Sequence, residues 1–159
     1  MNAINKYRAE RWLYLHHMEP VAWAIRGLIY IVHNCYIPYK CEIGAGTAFA
    51  YKGMGVVIHQ DAKIGKNCVI GSNVTIGGGA GGSNKRIAEF DKLRHIVPVI
   101  GNNVQISTGA KVLGNIVIGD DVIVGANAVV INDVPSGTVV GGVPAKILKY
   151  READKSTIL

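Results

Sequence analysis

Apolar residues follow two rhythms along the chain. Residues 4–18 carry Tyr7, Arg11, Tyr14 and Leu15 at helical spacings, so a helix is expected there. Pro20 breaks that pattern and can open the next one, because the first helical turn leaves its N–H groups unused anyway. Val21, Ile25, Leu28, Ile29 and Val32 then form an i, i+4, i+7, i+8, i+11 stripe, which predicts a second helix. The pair is expected to cap the main body. The sharper alternative is a basic amphipathic segment on a membrane surface, with Trp12, Trp23 and the arginines at the boundary.

After Ile37 the period becomes six. Ile58, Ile64, Ile70 and Ile76 are followed, past an interruption, by Ile100, Ile106, Val112, Ile118, Val124 and Val130. Small or branched residues (Ala62, Cys68, Val74, Val104, Ala110, Val122, Ala128) stand two places earlier. Gly65, Gly71, Gly77, Gly101, Gly119 and Gly125 stand one place later. Six is neither the helix nor the strand period. It fits short strands joined by tight corners, three to a coil, each giving one side chain to a central axis. Glycine suits such corners through unusual backbone angles or close backbone approach.

Two interruptions stand out. Ile37, Ile43 and Phe49 run in another phase, and the nine residues from Phe49 to Ile58 place a three-residue offset at Ala50-Tyr51-Lys52-Gly53-Met54-Gly55. Residues 77–99 are glycine-rich and then charged, and they separate two stretches of the same register. They read as an excursion loop, and long loops on rigid scaffolds commonly carry function.

Composition narrows the classes. The chain has 159 residues, 49% hydrophobic and 18% charged, which suits one folded unit and excludes a disordered one. The 20 glycines show no collagen period, and no apolar run reaches the ~18 residues of a membrane span. A net charge of +6 points to anionic partners or to a solvated basic surface. Lys6, Arg8, Arg11, Arg26 and Lys40 at one end and Lys146, Lys149, Arg151 and Lys155 at the other form no single stripe, which argues against nucleic acid. Cys35, Cys41 and Cys68 lack metal or redox spacing and read as reduced thiols. With a charged start that does not read as a signal peptide, a cytoplasmic location is expected, with peripheral membrane contact through the helices as an option.

The six-residue repeat, Gly109-Ala110-Lys111-Val112-Leu113-Gly114-Asn115-Ile116, Val134-Pro135-Ser136-Gly137 and the terminal Gly141-Gly142-Val143-Pro144-Ala145-Lys146 carry a resemblance. Residues 35–150 resemble the hexapeptide-repeat acyltransferases of left-handed parallel β-helix fold, in the branch of serine acetyltransferases and polysaccharide-biosynthesis acetyltransferases. The resemblance implies an all-β left-handed parallel β-helix over 36–143, a helical segment at 1–35 and a tail at 144–159. It further implies a homotrimer with acetyl-CoA in grooves between prisms. Pantetheine would pass Gly78, Thr108 and Ala126, and Lys146 and Lys149 would face the CoA phosphates. Tyr36 stands where serine acetyltransferases carry an Asp, and Tyr51 where their catalytic His falls. The short relatives look alike from Tyr51 to His59.

Acyl transfer to a hydroxyl needs a base that titrates near neutrality, and oxyanion donors such as backbone N–H groups in a Gly-rich corner. His16, His17 and His33 read as surface or capping residues. His59 occupies a corner slot where other hexads place glycine and is the preferred base. His95, resembling the loop His of serine acetyltransferases, is the second candidate, as base or as partner to His59. Tyr51 and Lys52 are acceptor-site candidates, and Glu89, Asp91 and Arg94 could orient an acceptor from the loop. A covalent cysteine route is disfavoured. A zinc site of the carbonic-anhydrase kind lacks its three histidines, so no metal is expected. The expected function is acetyl transfer from acetyl-CoA to a hydroxyl of a sugar or polysaccharide precursor. Serine O-acetylation and a non-catalytic scaffold are the alternatives.

Overall fold

The structure is a computed structural model, and it describes residues 2–78 and 97–151. Two helices open it: α1 (Ala3–Leu15), capped by the Asn2 side chain, and α2 (Glu19–His33), with Pro20 in its first turn. The strands β1 (Glu42–Ile43), β2 (Ala48–Phe49), β3 (Val57–Ile58), β4 (Lys63–Ile64), β5 (Val69–Ile70) and β6 (Thr75–Gly77) precede the interruption. After it come β7 (Val99–Ile100), β8 (Gln105–Ile106), β9 (Lys111–Leu113), β10 (Val117–Ile118), β11 (Ile123–Val124), β12 (Val129–Val130), β13 (Thr138–Gly141) and β14 (Lys146–Tyr150).

These strands form three sheets, one per face of a prism. The first holds β3, β6, β9 and β12; the second β1, β4, β7 and β10; the third β2, β5, β8, β11, β13 and β14. All pairings are parallel except β13 with β14. The period of six is thus one strand plus one corner, and each coil stacks on the last through bonds such as Val69 N–H to Val104 O (2.9 Å) and Gly71 N–H to Ile106 O (2.8 Å). The ten repeat aliphatics, and the small residues two places before them, are buried in one continuous core.

The corners split two tasks between two slots. The glycine after each inward aliphatic serves close approach: a Cβ on Gly44 would lie 2.6 Å from the carbonyl carbon of Gly65, one coil on. The left-handed backbone falls two places later, on Asn67, Asn73, Asn103, Asp121 and Asn127, with Gly46, Gly55 and Gly109 in the same slot. Asn and Asp tolerate that region better than other non-glycine residues.

Two expectations for the helices are corrected. Val21, Leu28 and Val32 of the proposed apolar stripe are exposed; α2 packs instead through Ala22, Ile29 and His33. His33 is therefore buried, because the αL cap at Asn34 turns the chain straight into the first coil and leaves His33 facing α1. Its Nε2 lies 3.1 Å from the buried Lys6 Nζ, so the imidazole is neutral and accepts. Burial first, and Lys6 second, hold it below the ordinary histidine range. Among the described residues no helix is long and apolar enough to cross a membrane.

Candidate functional site

The three-residue offset becomes a bulge. Residues Ala50–Gly53 form a single tight turn in which Tyr51 (φ 48°, ψ 38°) and Lys52 (φ 61°, ψ 12°) are both left-handed. Two consecutive non-glycine residues there store strain that the surroundings must hold. The helices do the holding. Asn2 Nδ2 donates to the Phe49 carbonyl (2.9 Å), Ala3 packs on Gly53, and the Gly55 N–H reaches the His33 carbonyl (3.4 Å). Tyr51 is consequently presented outward, 74% exposed.

The bulge lies on the edge between the third and first sheets. Ser72, Thr108 and Ala126 follow it up that edge, one per coil, each two places after an inward aliphatic. Ser72 Oγ lies 3.4 Å from Thr108 Oγ1. At the top, β14 pairs with β13 so that Lys146 stands opposite Gly141 and Lys149 opposite Val139. One edge therefore carries Tyr51, Lys52, Ser72, Thr108 and Ala126 in a column that ends at two lysines. Ser72 was not among the sequence candidates, although it shares the hexad slot of Thr108 and Ala126.

His59 and Gly78 sit on another edge, between the first and second sheets. His59 is not alone in lacking a glycine there, since Leu113 and Ile131 occupy the same slot. The sheet runs one residue further at this edge, through Gly77 paired with Leu113, and a Cβ on Gly77 would meet nothing closer than 3.8 Å. The slot is roomy, and what singles out His59 is its ionisable ring. Its Nδ1 is 3.6 Å from Asp61 Oδ2 and 3.2 Å from the Asp61 N–H. These contacts demand opposite tautomers. With the proton on Nδ1 and directed at the carboxylate, Nε2 carries the free lone pair a base needs. An open groove of about 270 Å³ runs beside this pair, lined by Lys40, Glu42, Gln60, Asp61, Ala62 and Lys63.

A single prism does not join the two edges, so His59 does not meet Tyr51, Thr108 or Ala126 within one chain. His95 and Arg94, with Glu89 and Asp91, lie outside the described residues. The cysteines are free and buried, and burial pushes Cys35 up to about 11, Cys41 up to about 12 and Cys68 upward. Protonated thiols of this kind are poor nucleophiles.

Residues 48–78 and 98–132 match the bacterial transferase hexapeptide family of six repeats. The chain is 37% identical over 148 residues to a serine acetyltransferase of Helicobacter pylori, covering 93% of this chain and 80% of that one. It is 38% identical over 145 residues to a serine acetyltransferase of Synechococcus elongatus, covering 91% and 54%. A solved serine acetyltransferase in complex with CoA superposes with a TM-score of 0.76 at 30% identity, over 92% of this chain and 55% of that one. The chain thus spans about half the length of several relatives it matches. With that identity held across four-fifths of the Helicobacter protein, on the same prism, the chain belongs to the hexapeptide-repeat acyltransferases of left-handed parallel β-helix fold, in their serine acetyltransferase-like group.

Proposed function

We propose that the chain is an acetyl-CoA-dependent O-acetyltransferase whose acceptor is serine or a closely similar small hydroxyl compound. The observation that carries the donor half is the column on the third–first edge. Ser72, Thr108 and Ala126 keep that edge low enough for a thin pantetheine arm to lie along the backbone. Lys146 and Lys149 supply positive charge at the end where CoA phosphates would sit. The arm then ends its run at the Tyr51–Lys52 bulge.

Two features support serine over the sugar expected from the sequence. The relatives are named serine acetyltransferases. The groove beside His59 offers both signs of charge, Lys40 and Lys63 with Glu42 and Asp61, which suits a zwitterion. The sugar reading keeps one observation in its favour. Tyr36 and the exposed Tyr51 replace an Asp and a His of the serine enzymes, and aromatic faces suit sugar rings.

The chemistry is one displacement through a tetrahedral intermediate. The acceptor hydroxyl attacks the thioester carbonyl, His59 Nε2 takes its proton, and the CoA thiolate leaves and recovers that proton from the imidazolium. Backbone N–H groups at a corner receive the oxyanion. His59 and the donor column lie on different edges, so a neighbouring prism of a homotrimer brings its own His59 edge to the donor edge. Acetyl-CoA supply places the enzyme in the cytoplasm. The test is thiol release from acetyl-CoA with serine, with free sugars and with no acceptor. The account expects serine-dependent release that falls 10²–10⁴-fold in His59→Ala. Release with sugars alone contradicts the acceptor, full activity in His59→Ala contradicts the base, and no CoA binding at all means a scaffold.

A further inference from the structure

The second helix carries an apolar surface that nothing in the described chain covers. α2 packs inward through Ala22, Ile29 and His33, with Ile25 and Arg26 partly covered. The rest of its circumference is open: Ile31 is 82% and Trp23 70% exposed, and Val21, Leu28, Tyr30 and Val32 are each about half exposed. At ~150–250 Å² for a whole large side chain, these six leave roughly 600–800 Å² of apolar surface in water. That is at or above the ~300–600 Å² of the largest patch on a typical monomer, and close to the ~800 Å² each partner buries in an ordinary protein interface.

Charge decides what fits this face. A helix lying in a membrane surface carries Lys and Arg beside its apolar side. Between Val21 and Val32 the only charged residue is Arg26, and it turns inward. Its Nε lies 3.4 Å from Glu10 Oε1, and its guanidinium stands 4.3 Å above the Tyr39 ring. On α1, Arg8 donates to the Thr47 carbonyl and Arg11 to those of Tyr39, Lys40 and Cys41. The basic fringe a lipid surface needs is spent on the protein's own backbone. A neutral face suits another neutral face.

Shape points to the same face on a second copy. Gly27 stands in mid-helix, where glycine weakens a helix, and nothing lies within 4 Å of the Cβ it lacks. Packing within this chain does not require it. With Ala24 it makes a notch on the outward side, one turn from the protruding Ile31. If two copies of α2 cross antiparallel at Leu28, each Ile31 stands over the Ala24–Gly27 notch of the other, and both contacts form at once. We propose that α2 is a self-association surface, seating α2 of a second copy in this antiparallel arrangement. Such a contact is twofold, and a three-fold ring does not satisfy it internally, so it doubles whatever unit the prisms form.

Sedimentation of the full-length chain tests this, with Ile31→Glu and Gly27→Leu as variants and helix content checked by circular dichroism. The expected result is a wild-type mass twice that of either variant at unchanged helix content. Leu28→Cys, at the centre of the crossing, should link copies by a disulfide under mild oxidant, the native cysteines being buried. Equal masses for wild type and both variants, or a Leu28→Cys chain that stays unlinked, overturns the proposal. So does an undoubled wild type that instead cosediments with phosphatidylserine-containing vesicles.

Discussion

Gly71→Ala and Gly125→Ala change the same hexad slot on the same edge, yet they should behave differently. Each glycine follows an inward residue of the third sheet, Ile70 or Val124. A Cβ on Gly71 would lie 2.5 Å from the Thr108 nitrogen, 2.8 Å from the Ser107 carbonyl carbon and 2.9 Å from the Thr108 Cα, all of them backbone. A Cβ on Gly125 would meet only the Val140 carbonyl at 3.2 Å and the Gly141 Cα at 3.6 Å. The backbone above Gly71 is tied into the ladder through Gly71 N–H to Ile106 O and Gly109 N–H to Ser72 O, so it cannot yield cheaply. Overpacking of this kind costs ~1–3 kcal/mol, with Gly71→Ala toward the upper end and Gly125→Ala below ~1 kcal/mol. In a chain of this size ~2 kcal/mol lowers Tm by ~4–8 °C. Thermal unfolding by circular dichroism gives the comparison. Gly71→Ala should also raise KM for acetyl-CoA, since Thr108 belongs to the donor column, while Gly125→Ala leaves Tm within ~3 °C of wild type. Equal losses in the two variants would refute the view that coil-to-coil approach, rather than the slot in the repeat, sets the need for glycine.

Two titrating groups under the helices make opposite predictions. Burial pushes the Glu10 carboxyl up to about 7 against the pull of Arg26, and neither of its oxygens has a hydrogen-bond partner. Between about pH 4.5 and 7 the unfolded chain sheds that proton while the folded chain keeps it, so stability falls as pH rises through the window, by up to ~3 kcal/mol. Glu10→Gln should therefore be more stable than wild type in urea at pH 8 and should lose this part of the pH slope; an unchanged slope contradicts the assignment. His33 is depressed, so its contribution is present above the unfolded value of ~6.5 and is lost as pH falls through the lower folded value. Lys6→Met removes the ammonium beside His33 Nε2, and the His33 Hε1 resonance should then titrate at higher pH; a lower or unmoved midpoint contradicts the pairing.

Periodicity made most of the prism legible, because one inward side chain per strand leaves a mark every sixth residue. The offset at residues 50–55 was visible as a broken phase. Its left-handed Tyr51 and Lys52 were not, since neither residue type advertises that backbone. The column of Thr108, Ala126 and Lys146 was placed by resemblance and proved to share one edge, whereas His59 fell on another. Sequence spacing alone does not say which corner a residue occupies until coils are counted through both interruptions. Lys6 and Glu10 lie in register with Ala3 and Tyr7 on α1, so a charged pair on the buried stripe was readable. The helical stripe of α2 was misassigned because nearly all of that helix is apolar, and periodicity cannot orient a helix with no polar face.

Calorimetric titration of CoA into three proteins tests the central claim, that acetyl-CoA lies along the third–first edge. These are the wild type, Ala126→Tyr on that edge, and Lys66→Tyr on the edge between the second and third sheets. Both sites are exposed, so neither variant disturbs the core. The account predicts saturable binding to the wild type, near-complete loss in Ala126→Tyr, and wild-type-like binding in Lys66→Tyr. Binding that survives in Ala126→Tyr, or that is lost in Lys66→Tyr, contradicts it.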